Sequence, residues 1–129
     1  MSIKNFGSEA LSAAWDIYAF EANPEFDKIL DETRKEVSLK HKVRLFNQTA
    51  AWTYDGTIDF YLDTINKNNH FWGSSLNKNH PDVVRSGSVK VSVKCMDIAG
   101  IIKQYKVDDL VVVKMDIEGA EYVTYCLIL

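Results

Sequence analysis

The spacing of hydrophobic and polar positions changes several times along the chain, and each change marks an element. Residues 16–21, D-I-Y-A-F-E, are short, aromatic and apolar and predict a strand that ends in an acid. Asn23 and Pro24 come next and predict a helix start, Asn23 as cap and Pro24 as first helical residue. Between Glu25 and about Glu36, Phe26, Ile29, Leu30 and Thr33 recur on one face of that helix. Residues 43–46 predict a second strand, continued through N-Q-T-A-A-W at 47–52. Asp55-Gly56 signals a hairpin turn, and residues 57–62 have strand propensity, so an antiparallel element is expected there. Residues 89–93 alternate V-K-V-S-V, as a half-buried strand does, and Asp97 can cap a helix carrying Ile98, Ile101, Ile102 and Tyr105. Three consecutive valines, 111–113, lack any polar alternation and predict 110–115 as a strand buried on both faces. Residues 8–14 favour a further helix, and 63–87 form the polar, least regular stretch, a functional or a flexible loop. This alternation is that of an α/β domain with a mainly parallel sheet, the hairpin being an embellishment.

Composition narrows the class. The 129 residues suffice for one domain, and 47% apolar with 26% charged residues is ordinary for a globular protein. A net charge of −3 gives no attraction to phosphate backbones or anionic membranes. Arg34, Lys35, Lys40, His41, Lys42 and Arg44 are interleaved with other residues and read as a solvated helix end and loop, so no nucleic-acid partner is expected. No run approaches the roughly 20 apolar residues of a membrane span, and the N-terminal residues lack a secretory pattern, so the expected location is the cytoplasm. Cys95 and Cys126, with histidines at 41, 70 and 80, lack zinc-ligand spacing, and no resident metal is expected.

Two stretches carry charges that structure alone explains poorly. After the valine run come Lys114, Asp116, Glu118 and Glu121, with Gly119 letting the chain turn into a helix. In open α/β sheets ligands bind beyond the carboxyl ends of the strands, which is where these charges would lie. The plain alternative is a helix whose first turn is acidic, favoured by the helix dipole. A D-x-E pair also suits magnesium, and a metal-dependent hydrolase using Asp116 and Glu118 is a third, weaker idea. Glu21, at a strand end before a proline turn, is placed as acids that hold ribose hydroxyls are placed. In H-F-W-G-S-S-L at 70–76, Ser74 and Ser75 could hydrogen-bond a substrate, and Phe71 and Trp72 could line its pocket. His70 is the nearby group able to titrate near neutrality, although a lone loop histidine is more often merely solvated.

The segment K-M-D-I-E-G-A-E at 114–121 resembles the signature of the FkbM-like family of S-adenosylmethionine-dependent methyltransferases, with Lys114, Asp116, Glu118, Gly119, Ala120 and Glu121 in the family's places. Y-A-F-E-A-N-P at 18–24 is similar to the family's F-E-P-N-P motif, Ala22 replacing the first proline. The passage 47–62 and the G-S-S-L at 73–76 also have counterparts. The resemblance runs from about Asp16 onward. It implies a Rossmann-like class I sheet, S-adenosylmethionine as cofactor, and O-methylation of a small hydroxyl compound such as a sugar. Glu21, with Asn23 beside it, would hold the cofactor ribose, and Thr49 and Ala50 would lie near the adenine. Asp116 or Glu118 would orient the acceptor hydroxyl or take its proton, with Lys114 restraining the pair. Ser74, Ser75 and His70 would contact the acceptor. The family's opening strand with its D-x-G-x-N-x-G turn has no match here, nor do its later strands, so residues 1–129 are expected to form a single, incomplete domain. A non-catalytic binding module of the same fold is the alternative.

Overall fold

A computed structural model describes residues 12–69 and 71–116. Strand β1, Asp16–Glu21, pairs in parallel with β2, Lys42–Asn47, in register from Asp16↔Lys42 to Glu21↔Asn47. Parallel neighbours need a crossover, and helix α1, Asp27–Val37, supplies it. The helix enters as the sequence predicts. Asn23 Oδ1 accepts from the Glu25 N–H at 3.1 Å, Pro24 takes the first position, and a short 3-10 turn over Pro24–Phe26 leads into α1. Arg44 ties the start of the pair together, donating to Asp16 at 2.7 Å and lying 4.6 Å from the centre of the Tyr18 ring. Phe20 stacks on Phe46 with 4.8 Å between centroids.

A second sheet has the order β3-β5-β4, with β3 at Thr49–Trp52, β4 at Gly56–Tyr61 and β5 at Lys90–Asp97. β3 runs parallel to β5 and β4 antiparallel to it. Along β5 the burial alternates: Val93 and Cys95 are buried and Lys90, Ser92 and Lys94 exposed, as the V-K-V-S-V pattern requires. Ala50, Phe60, Val93 and Cys95 form the core, with Ala22, Trp52, Ile58, Leu62, Leu76 and Val91 packed against it. Burying one such side chain, Phe60 for instance, contributes about 2 kcal/mol. Ala22 directly follows β1, so this core also joins the two sheets. Two further short helices close the described fold, α2 over Pro81–Arg85 and α3 over Ile98–Ile102, the latter following Asp97.

Several expectations are corrected. The expected continuous strand from 43 to 52 is broken at Gln48, whose φ of 48° turns the chain into the second sheet. The hairpin at Asp55-Gly56 does not form, because β5 lies between β3 and β4. The turn is real and is fastened to the end of β5, with Asp55 Oδ1 accepting from the Asp97 N–H at 2.9 Å. A turn sequence fixes the reversal, whereas the strand that fills the gap is chosen by long-range packing. The second sheet is accordingly mixed, so the mainly parallel sheet is replaced by an α/β arrangement of one parallel pair and one mixed sheet. On α1, Phe26 and Leu30 are half-buried but Ile29 is 59% exposed and Thr33 is exposed, so the predicted apolar face is only partly covered.

The buried strand at 110–115 is not there. Residues 110–116 make no strand ladder among the described residues, and Leu110, Val111 and Val112 are exposed. An apolar run states what a segment could bury, and it becomes a strand only when it pairs with a neighbour, which 110–116 does not do among the described residues. The expected helix at 8–14 lies almost wholly outside the described residues.

Candidate functional site

At their carboxyl ends β1 and β2 set Glu21 and Asn47 side by side in register. The Asn23 N–H donates to Glu21 Oε1 at 2.7 Å, a bond that the turn after β1 makes by itself. Burial pushes the Glu21 carboxyl above its ordinary value, and the nearby Asp27 charge adds to this; the N–H groups of Asn23 and Ala22 pull the other way. Asp27 opens α1, and its Oδ2 accepts from Gln48 Nε2 at 2.6 Å. Asp27 Oδ1 and Asn47 Oδ1 are buried with no hydrogen-bond partner among the described residues. An unmatched buried acceptor costs about 1–3 kcal/mol. Three side-chain carbonyl or carboxylate groups, those of Glu21, Asp27 and Asn47, therefore gather at this end of the parallel pair.

Asn23 links this rim to the loop beyond β4. It is 2% exposed, and its Nδ2 donates to Ser74 Oγ at 3.3 Å. Ser74 Oγ in turn donates to the Phe71 carbonyl and accepts from the Asp63 N–H, both at 2.9 Å. Asp63, 3% exposed, organises everything that follows. Its carboxylate accepts from the N–H groups of Ile65 and Asn66 at 3.1 Å, from Asn66 Nδ2 at 2.7 Å, and from the Gly73 N–H at 3.3 Å. Burial alone would raise its pKa, but these bonds outweigh it and hold the carboxyl below its ordinary value. Phe71 is kept at φ 58°, a left-handed conformation uncommon for a bulky residue.

The residues singled out from the sequence fall into four groups among the described residues. Glu21 and Asn23 lie together at the rim. Thr49 and Ala50 start β3 and are buried, Thr49 with its hydroxyl on the Asn47 carbonyl at 2.8 Å and Ala50 within the core. Ser74 is scaffold, its hydroxyl engaged by three protein partners, and Ser75 is buried, paired with Tyr61 through the backbone and accepting from the Asn77 N–H. Asp116 is exposed and pairs with Lys114 at 3.6 Å. Glu118, Gly119, Ala120, Glu121, Cys126 and His70 lie outside the described residues. Among the described residues no three His, Cys, Asp or Glu side chains gather as a metal site, and no helix is long and apolar enough to cross a membrane. Cys95 is a free, buried core thiol.

Sequence reasoning passed over Asn47, Asp27 and Asp63. Asn47 is visible only once β1 and β2 are paired. Asp63 carried a usable signal: an acid directly after a strand, with Asn three residues later, is the pattern of an Asx turn.

β1, α1 and β2 thus form a parallel β-α-β unit whose two strands end in a half-buried carboxylate and an orphaned amide oxygen, within a small α/β domain. The family follows from comparison with known proteins. The model of the methyltransferase FkbM domain matches residues 5–123, and the chain belongs to that family. The same comparisons return no match among curated proteins and none among solved structures.

Proposed function

We propose that the protein binds S-adenosylmethionine on the Glu21 rim and transfers its methyl group to an oxygen of a small hydroxyl compound, such as a sugar. The observation that carries this is the set of acceptors at the rim, the Glu21 carboxylate with the orphaned oxygens of Asn47 and Asp27. A ribose presents two vicinal hydroxyls, and Glu21 in its ionised form accepts from both. Asn47 Oδ1, beside it in register, accepts a further donor from the same ligand. Asn23 keeps Glu21 in place through its N–H, while Thr49 and Ala50 shape the floor towards the adenine. Within this proposal the described strands belong to a Rossmann-like sheet, and the protein works in the cytoplasm, a setting that suits the free Cys95. When bound, the cofactor supplies an electrophilic methyl group. The protein aligns the acceptor oxygen in line with it and removes a proton, the part assigned to Asp116 or Glu118 with Lys114 alongside.

Calorimetric titration with S-adenosylhomocysteine tests the proposal. Binding with a Kd on the order of micromolar, about −8 kcal/mol, is expected, with a loss of at least about tenfold in Glu21→Gln. Affinity should also fall as the pH drops through the pKa of Glu21, which lies above 4.5, because the protonated carboxyl no longer accepts both hydroxyls. No binding, or equal binding by Glu21→Gln, overturns the assignment.

A further inference from the structure

Glu21 is aimed by the two residues that follow it, and both of these are anchored in the other sheet. The N–H groups of Ala22 and Asn23 bond its carboxylate, that of Asn23 at 2.7 Å. The Ala22 side chain packs against the core of the second sheet. Asn23 is held at both ends of its amide: Oδ1 accepts from the Glu25 N–H at 3.1 Å, and Nδ2 donates to Ser74 Oγ at 3.3 Å. Resting on the methyl-transfer proposal above, we infer that Ser74 is a positioning residue for the cofactor: through the Asn23 side chain it fixes the turn whose N–H groups hold Glu21 towards the ribose.

Three observations carry the inference. Ser74 has no capacity left for a ligand. A hydroxyl offers one proton and two lone pairs. Here the proton goes to the Phe71 carbonyl, and the lone pairs take the Asp63 N–H and Asn23 Nδ2, with Ser74 8% exposed. Its influence on the cofactor therefore passes through a neighbour, and Asn23 is the neighbour bonded to Glu21. Ser74 is also immobilised. Ser75 exchanges both backbone hydrogen bonds with Tyr61 of β4 at 2.9 Å, and the Gly73 N–H donates to the Asp63 carboxylate at 3.3 Å, so the chain is pinned on either side of the hydroxyl. Finally, the bond from Asn23 to Ser74 is the long-range one, spanning 51 residues. The bond to Glu25 lies within the turn and moves with it. Asn23 is 2% exposed, so a side-chain N–H that loses Ser74 has little water to replace it, and the turn must shift.

Two jobs are thereby separated. The local cap starts α1, while the Ser74 bond sets where the turn stands relative to the second sheet, to which Thr49 and Ala50 belong. The N–H bonds favour the charged carboxylate, so loosening them raises the Glu21 pKa as well as misdirecting the group. Among the described residues the charge acting on Glu21 is that of Asp27 on α1; its neighbour on β2 is the uncharged Asn47.

Calorimetric titration of the whole chain with S-adenosylhomocysteine tests this in a double-mutant cycle. Ser74→Ala should weaken binding about fivefold. Asn23→Ser keeps a capping oxygen and the backbone N–H but loses the donor to Ser74, and should weaken binding by a similar factor. In the Glu21→Gln background the same two changes should weaken binding by less than about twofold, because the group they position is gone. Ser86→Ala is the control. It removes a hydroxyl that bonds Asp63 and the Thr64 N–H in the same loop without touching Asn23, and should stay within about twofold of the parent. In carboxyl NMR of the ligand-free protein, Glu21 should titrate at a higher pH in Ser74→Ala than in the parent. The inference is overturned if Ser74→Ala and Asn23→Ser bind like the parent or if their losses persist in full beside Glu21→Gln. It is equally overturned if Ser86→Ala weakens binding as much, or if the Glu21 titration is unmoved. Should Ser74→Ala not fold, Asn23→Ser decides both readouts alone. Binding that Glu21→Gln weakens, with additive losses, removes only the role of Ser74. No binding by the parent, or equal binding by Glu21→Gln, removes the methyl-transfer proposal and this inference with it.

Discussion

The stretch after β4 and the stretch after α3 exchange the roles that their compositions suggest. Residues 63–76 are polar and irregular, yet they hold two of the most buried polar residues, Asp63 and Ser75, and a dense set of hydrogen bonds. Residues 110–116 carry a run of three valines, yet they are largely exposed and make no backbone ladder among the described residues. The difference is one of range. A buried carboxylate satisfied by the N–H groups of residues two, three and ten positions along fixes its own surroundings, whereas a run of valines is ordered only by a distant strand.

Removing the carboxylate is the strongest way to break this contrast. Asp63→Ala strands the N–H groups of Ile65, Asn66 and Gly73 and should cost about 3 kcal/mol of stability in urea unfolding. Gly73→Ala comes next, at about 2 kcal/mol, because its new Cβ must displace Asp82 and with it α2. Acidity acts on the same group. The pKa of Asp63 is lower in the folded chain than its ordinary 3.8, so its contribution is fully present above 3.8 and disappears as the pH falls through the folded value. Glu21 has the opposite sign: with a folded pKa above 4.5, its ionisation lowers stability as the pH rises from 4.5 through that value. In Asp63→Asn the low-pH limb of the stability curve should therefore flatten, while the Glu21 limb stays. The smallest effect is expected at the other end of the comparison. Val112→Ser should change stability by less than about 0.5 kcal/mol. Hydrogen exchange should find the amides of Ile65, Asn66 and Gly73 protected and those of residues 111–113 not.

Much of the chemistry could be read before any fold was known. The E-A-N-P turn predicted an acid at a strand end, a capping asparagine and a helix, and all three are present. The signature at 114–121 pointed to the FkbM family, which the match over residues 5–123 bears out. What could not be read were the groups whose role depends on a partner far along the chain. Asn47 becomes a candidate only through its register with Glu21, and Ser74 is a scaffold residue because it meets Asn23, 51 residues away in sequence. The close packing of Gly73 against Asp82 of α2 is likewise set by tertiary structure, within a stretch whose polar composition does not announce it.

Sequence alone determined the local elements: the cap at Asn23, the reversal at Asp55-Gly56 and the alternation of β5. Each follows from backbone preferences and side-chain spacing within a few residues. Tertiary structure decided that β5 would enter between β3 and β4, that Gln48 would divide one strand into two, and that the valine run would lie outside both sheets. Those outcomes depend on which backbone donors and apolar faces remain free once the other elements have packed, and no local pattern encodes that.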